Sequence, residues 1–132
     1  MIKLAGTAPE IRGEEIAWFG FCRQERLMLQ RCVDCGDRVL YPRSVCPGCL
    51  GGQLEWEQAD GAGVVLTYTV QHRPPPEFGT EPYAVAIVEL PEGVRIFSRI
   101  VADPASVHIG MPVRVEFAQL PDGFVFPVFM EA

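Results

Sequence analysis

The chain reads as a mainly β protein in three parts: a short N-terminal helix, a small metal ribbon, and a five-stranded closed barrel. Three observations predict this. Cys32, Cys35, Cys46 and Cys49 stand in the spacing C-x2-C-x10-C-x2-C. Short β-rich runs, broken by turn residues, fill the sequence from Val64 to the C-terminus. One aromatic-rich stretch around Trp18, bounded by Gly13 and Arg26, has helical length and an acidic first turn. The expected boundaries are 1–26 for a leader and helix, 27–59 for the ribbon, and 60–132 for the barrel.

Residues 1–12 carry no clear pattern and are expected to be a loose leader. They lack the hydrophobic run of an export signal. From Gly13 to about Arg26 a helix is expected, with Glu14 and Glu15 where negative charge suits the helix dipole. Ile16, Trp18, Phe19, Phe21 and Cys22 spread over more than one face of it. Two readings are open: these rings pack on their own domain, or Trp18, Phe19 and Phe21 form a surface that docks on a partner.

Leu27 to Gln30 is expected as a strand leading into the first cysteine pair, Val39 to Tyr41 as a second strand stopped by Pro42, and Leu54 to Glu57 as a third. Three short strands around four thiols make a zinc ribbon. Each C-x-x-C turn can offer two sulfurs to one tetrahedral ion, and ten intervening residues suffice to fold the pairs together. Gly36 and Gly48 stand where the knuckles bend, and Pro47 fixes φ in the second. Iron accepts the same four thiolates, so an electron-carrying iron site is a rival. A disulfide framework would suit an exported chain, and a dithiol pair at Cys46 and Cys49 would leave the other pair unexplained. Arg31, Arg38 and Arg43 flank the ligands and can offset the net negative charge of a tetrathiolate zinc. Cys22, the fifth cysteine, reads as a small buried apolar residue.

After the turn Asp60-Gly61-Ala62-Gly63, strands are expected at Val64–Gln71, Tyr83–Leu90, Val94–Val101, Val113–Phe117 and Phe124–Phe129. Pro74-Pro75-Pro76 opens a loop, and Asp103 to Gly110 is a loop or a single helical turn. Five strands with a longer connection between the third and fourth fit a barrel of the OB type, with a sandwich as the alternative.

Charge and chemistry narrow the function. The net charge is −6, split unevenly: residues 1–52 carry +1 and residues 53–132 carry −7. The acidic C-terminal part argues against a grip on phosphate backbones, so nucleic acid is disfavoured as a partner although Tyr68, Tyr83 and Phe97 could form a stacking face. No apolar run is long enough to span a bilayer. Free thiols with no export signal predict a reducing, cytoplasmic location. The two histidines, His72 and His108, stand in no nucleophilic pattern, and Gly61-x-Gly63 is a turn and not a phosphate loop. A binding or assembly module is expected, and no catalytic residue is named.

Taken in order, several short segments resemble one family. They include Leu29-Gln30-Arg31-Cys32-x-x-Cys35-Gly36, Tyr41-Pro42-Arg43-x-x-Cys46-Pro47-x-Cys49, Trp56 ahead of Gly61-x-Gly63-x-Val65, Pro82-Tyr83-x-Val85-Ala86 and Ile109-Gly110-Met111-Pro112-Val113. From about Ile16 to Phe129 the chain resembles domain of unknown function (DUF) family 35, a rubredoxin-like zinc ribbon followed by an acyl-CoA-associated OB-fold. The resemblance implies one structural zinc at the four cysteines. It also implies a non-catalytic role beside a separate enzyme that handles acyl-CoA thioesters. A thiolase or thiolase-like acyltransferase is the expected partner, and a hotdog-fold enoyl-CoA hydratase the alternative. Acyl-CoA would be bound jointly with that partner, with Arg43 and Arg73 as candidate contacts to CoA phosphates.

Overall fold

A computed structural model describes all residues, 1–132. In chain order the elements are β1 (Ile2–Lys3), α1 (Glu15–Arg23), β2 (Met28–Cys32), β3 (Arg38–Val39), β4 (Leu54–Gln58), β5 (Ala62–Gln71), β6 (Tyr83–Glu89), β7 (Arg95–Ile100), β8 (Pro112–Gln119) and β9 (Val125–Glu131). Single 3₁₀ turns cover Pro76–Phe78 and Pro104–Ser106. Helix, ribbon and five-stranded barrel are present as the sequence predicts.

The ribbon is the three-stranded antiparallel sheet β3-β2-β4, with Gln30 paired to both Val39 and Trp56. β2 is its middle strand, and four of its five residues are buried. The barrel runs β8-β5-β6-β7-β9 and closes by the pairing of β9 with β8. One parallel contact, Ile100 with Phe129, joins β7 to β9. Alternation drives the barrel: in β6 and β7, Ala84, Ala86, Val88, Ile96, Ser98 and Ile100 are buried while their neighbours are not. Gly63 lets β5 lie close to β6, because a Cβ there would stand 2.5 Å from Val88 Cγ1.

One core serves the whole chain. Trp18 and Cys22 of α1, Leu29 of β2, and Val65, Ile96, Val113 and Phe129 of the barrel belong to a single buried cluster. Trp18 Nε1 donates to Met28 O at 2.7 Å, fastening helix to ribbon. Tyr41 fastens ribbon to barrel: its hydroxyl accepts from Phe97 N–H at 2.8 Å and reaches Phe97 O at 3.3 Å.

The leader is not loose. Ile2 and Lys3 pair in parallel with Ala118 and Gln119, on the stretch of β8 that β5 leaves free. Further on, Ala8 N–H donates to the Asp122 carboxylate at 3.0 Å. A segment of such mixed character shows no strand period, and its order comes from the barrel edge it joins. The helix is shorter than expected, because Glu25 takes a left-handed conformation (φ 57°) that ends it.

Candidate metal centre and neighbouring clefts

The two cysteine turns are built alike. In the first, Gly36 N–H donates to Cys32 O and Cys32 N–H donates to Asp37 O; in the second, Leu50 N–H donates to Cys46 O and Cys46 N–H donates to Gly51 O. The residue after each second cysteine is left-handed: Gly36 at φ 80° and Leu50 at φ 65°. Gly36 thus fills the conformational role expected of it. The second knuckle places that strain on Leu50 and not on Gly48. Gly48 matters by size: a Cβ there would lie 2.5 Å from Asp37 Oδ2. Gly51 is tighter, 2.5 Å from Asp34 Oδ2 and 3.2 Å from Cys49 Sγ. Each glycine of the second turn therefore makes room for a carboxylate of the first.

The four sulfurs converge. All lie within 4.8 Å of one another, with Cys32 to Cys49 at 3.5 Å and Cys35 to Cys46 at 3.7 Å. A tetrahedral zinc with bonds of about 2.3 Å sets its sulfurs about 3.8 Å apart, so the donor set fits that ion. Cys32 and Cys46 are buried, Cys35 and Cys49 exposed, so the site sits at the ribbon tip with one side open to water. The Cys35 backbone N–H is the main cause drawing the Cys32 thiol down to about 7, whereas Cys35 is pushed up to about 12 and Cys49 is raised, so Cys32 is the first of these three to ionise and the others must lose protons as an ion binds. Cys22 is excluded from the set. It is fully buried, and desolvation pushes its thiol up to about 12.

The flanking arginines are mostly engaged with carboxylates. Arg31 lies 3.5 Å from Glu55, and Arg38 lies 3.3 Å from Glu57. Arg43 is exposed, and its backbone is gripped on both polar groups by one buried side chain: Arg43 N–H donates to Gln30 Oε1 at 2.7 Å, and Gln30 Nε2 donates to Arg43 O at 3.0 Å. Sequence reading missed Gln30 as a positioning residue. Its signal is a lone amide following the apolar run Leu27-Met28-Leu29 on a strand entering the metal site.

Two clefts adjoin the ribbon. A polar one of about 440 Å³ lies between ribbon and β6–β7 hairpin and is lined by Arg38, Arg43 and Arg95 among others. Arg73 does not line it; that side chain is exposed in the loop after β5. An aromatic cleft of about 370 Å³ lies between leader, helix and barrel, with Phe19, Tyr41, Phe78, Phe97 and Phe124 in its walls. Arg99 enters the same cleft and stacks on Tyr83, 4.2 Å from the ring centroid.

The three rings of α1 part company. Trp18 is only 3% exposed, so its expected place on a docking surface is corrected: it is core, because its indole needs both the apolar cluster and the Met28 carbonyl. Phe19 is half-buried against Trp18 and Phe124, each at a centroid distance of 4.8 Å. Phe21 packs on Trp56 at 5.1 Å, with the Arg26 guanidinium over its ring. Nor do Tyr68, Tyr83 and Phe97 form one stacking face: the last two line the aromatic cleft and Tyr68 does not.

Comparisons with known proteins agree with this geometry. Residues 19–55 match the family model described as ChsH2, rubredoxin-like zinc ribbon domain, and residues 56–118 match ChsH2, C-terminal OB-fold domain. A DUF35 domain-containing scaffold protein of Methanothermobacter thermautotrophicus is 38% identical over 78% of this chain and 80% of its own length. A probable enoyl-CoA hydratase alpha subunit of Thermomonospora curvata is 37% identical over 94% of this chain; the chain spans only 39% of that relative. Among solved structures, a chain described as Ltp2-ChsH2(DUF35) aldolase is 36% identical, with a TM-score of 0.85 over 94% of this chain and 98% of that one. A DUF35 protein from Sulfolobus solfataricus, 16% identical with a TM-score of 0.66, shows the same fold. With its metal ribbon, its barrel and a relative matched across most of its length, this chain belongs to the DUF35 family of ChsH2-type zinc-ribbon and OB-fold proteins.

Proposed function

We propose that this chain is a zinc-loaded, non-catalytic accessory subunit of an acyl-CoA-processing complex, partnering a thiolase or thiolase-like acyltransferase. One observation supports the accessory role: the chain aligns with 98% of a chain from the structure described as Ltp2-ChsH2(DUF35) aldolase, a description that pairs such a chain with an enzyme. The choice of a thiolase-type partner rests on the family resemblance. Cys32, Cys35, Cys46 and Cys49 would hold one structural zinc, a closed site with no open coordination position for substrate. The reacting groups come from the partner.

Phe19 and Phe21 remain our docking candidates on α1. Phe19 is supported by its place at the aromatic cleft, beside Phe97, which is 62% exposed. Arg43 is the candidate contact to CoA phosphate, because Gln30 fixes its backbone in a cleft that also holds Arg38 and Arg95. Arg73 is a weaker candidate, supported by exposure alone.

A second reading has its own observation. Two relatives bear hydratase names: the probable enoyl-CoA hydratase alpha subunit above, and a 3-oxo-4,17-pregnadiene-20-carboxyl-CoA hydratase alpha subunit of Mycobacterium tuberculosis, 45% identical over 52% of this chain. A hotdog-fold hydratase is therefore the alternative partner. Co-expression with a thiolase-fold enzyme and separately with a hotdog-fold hydratase, followed by size exclusion, distinguishes them. A shared peak with the first, one zinc per chain and activity greater than either protein alone is expected. Two separate peaks with a fully active thiolase would sink the first reading, and a shared peak with the hydratase would establish the second.

A further inference from the structure

The aromatic cleft holds a charge that the fold leaves unanswered. Eleven of its sixteen lining residues are hydrophobic, and Arg99 is the one charged residue among them. Arg99 is half-buried, yet its guanidinium makes no ion pair and donates no hydrogen bond within the chain. The other half-buried arginines are answered: Arg31 lies 3.5 Å from Glu55, and Arg26 donates to Gln58 at 3.2 Å. Carboxylates are not scarce, since residues 53–132 carry −7. Taking a cation out of water without a partner is costly, and burial draws this guanidinium below the ordinary arginine value. Its one close contact is the Tyr83 ring, 4.2 Å away at the centroid. A ring face attracts the charge but accepts nothing from the planar N–H fork, which stays available to a carboxylate.

The cleft is also preformed. On the leader side, Ile2 and Lys3 pair with β8, and Ala8 N–H donates to Asp122. On the helix side, the Trp18 indole donates to Met28 O; on the ribbon side, the Tyr41 hydroxyl is fixed to the Phe97 backbone. Three walls are thus held in place without an occupant. A concave apolar space with one placed polar group is the form of a small-molecule site, and the cleft's volume of about 370 Å³ lies within the range of about 300–1,000 Å³ that such sites span. It shares no residue with the polar cleft of Arg38, Arg43 and Arg95.

We infer that this cleft binds a monocarboxylate with an apolar ring body, its rings against Phe19, Phe97 and Phe124 and its carboxylate on the Arg99 guanidinium. The site is built by this chain alone, so it stands whichever enzyme the chain accompanies.

Calorimetric titration of the zinc-loaded full chain with naphthoate, and with its neutral amide of the same shape, tests the assignment. One naphthoate per chain is expected, with the amide weaker by about tenfold or more, as the loss of a charge-assisted pair implies. Arg99→Gln should bring naphthoate down to the affinity of the amide and leave the amide unchanged. Thr7→Trp, at an exposed leader position on the cleft, should obstruct both ligands with Arg99 intact. Circular dichroism checks that the variants fold; should Arg99→Gln fail to fold, the contrast between naphthoate and amide on the unaltered chain still decides. No binding of naphthoate, equal affinity for the two ligands, or unchanged naphthoate binding in Arg99→Gln would each overturn the inference. If naphthoate does not bind and both substitutions instead weaken capture of an enzyme partner, the cleft is a protein interface and the small-molecule site is refuted.

Discussion

At the residue scale the second knuckle carries a cost that the first avoids. Leu50 holds a left-handed conformation at φ 65° and is 77% exposed, so it offers little burial in return. That backbone costs a side-chain-bearing residue about 1–2 kcal/mol, while glycine's extra freedom in the unfolded chain costs about 0.5–1 kcal/mol. Leu50→Gly is therefore expected to raise stability by roughly 0.5–1 kcal/mol, read from denaturant unfolding of zinc-loaded protein. A loss of stability would mean that Leu50 is held by contacts the fold hides. A second residue-level effect concerns Asp122. Backbone N–H groups of Phe124 and Ala8 hold its carboxyl below the ordinary carboxylate value. A depressed folded value contributes stability above the unfolded pKa of about 3.9, and that contribution is lost as pH falls through the folded value. The leader's tether at Ala8 should thus hold through the ordinary carboxylate range and slacken only as pH falls through the lowered folded value, and Asp122→Asn should abolish that pH dependence. Trp18 borders the same cleft as the leader, so its fluorescence reports the change. An unaltered acid transition in Asp122→Asn would remove Asp122 from the account.

At the element scale, α1 separates what the sequence makes legible from what it hides. Its place in the chain and its acidic first turn are readable, because both are local. Which ring faces inward is not, because three aromatics within four positions give no clean stripe at 3.6 residues per turn. The answer lies in β2, whose Met28 carbonyl accepts the Trp18 indole. The cysteine spacing likewise marks the metal centre directly, since four sulfurs on two turns are a local pattern. Gln30 is the opposite case: it clamps the backbone of Arg43, 13 residues further along the chain, and no spacing reveals such a contact. Burial turns this into a prediction about α1. Trp18→Ala removes a nearly fully buried ring and its hydrogen bond, and is expected to destabilise the chain by about 3–5 kcal/mol. Ile16→Glu, on a side chain 59% exposed, should change stability by less than about 0.5 kcal/mol. Thermal or denaturant unfolding of both variants checks the contrast. Equal costs would show that the helix presents a different face to the core.

At the scale of the whole molecule, the question is whether ribbon and barrel are two folding units or one. The sequence suggests a module boundary at Asp60, where turn residues separate the cysteines from the long strands. The core crosses that boundary. Leu29 of the ribbon, Trp18 and Cys22 of the helix, and Val65, Ile96 and Phe129 of the barrel share one buried cluster, and the Tyr41 hydroxyl bridges to β7. A ribbon with strands of two to five residues has too little apolar surface to hold its shape alone. Its stability must come from the metal and from the shared core. In zinc-finger peptides the ion supplies about 10–16 kcal/mol of apparent binding free energy, and that energy is folding energy where the site forms only on folding. Stripping zinc should therefore free β2 and α1, and with them the inner surface that Trp18 and Leu29 give to the barrel. Chelation, or Cys46→Ser at a buried ligand position, is expected to lower the midpoint of a single unfolding transition. Trp18 fluorescence and far-ultraviolet circular dichroism should move together. Two transitions, with the barrel melting at its former temperature after the ribbon is lost, would show instead that the aromatic and aliphatic contacts across Asp60 are too weak to couple the parts.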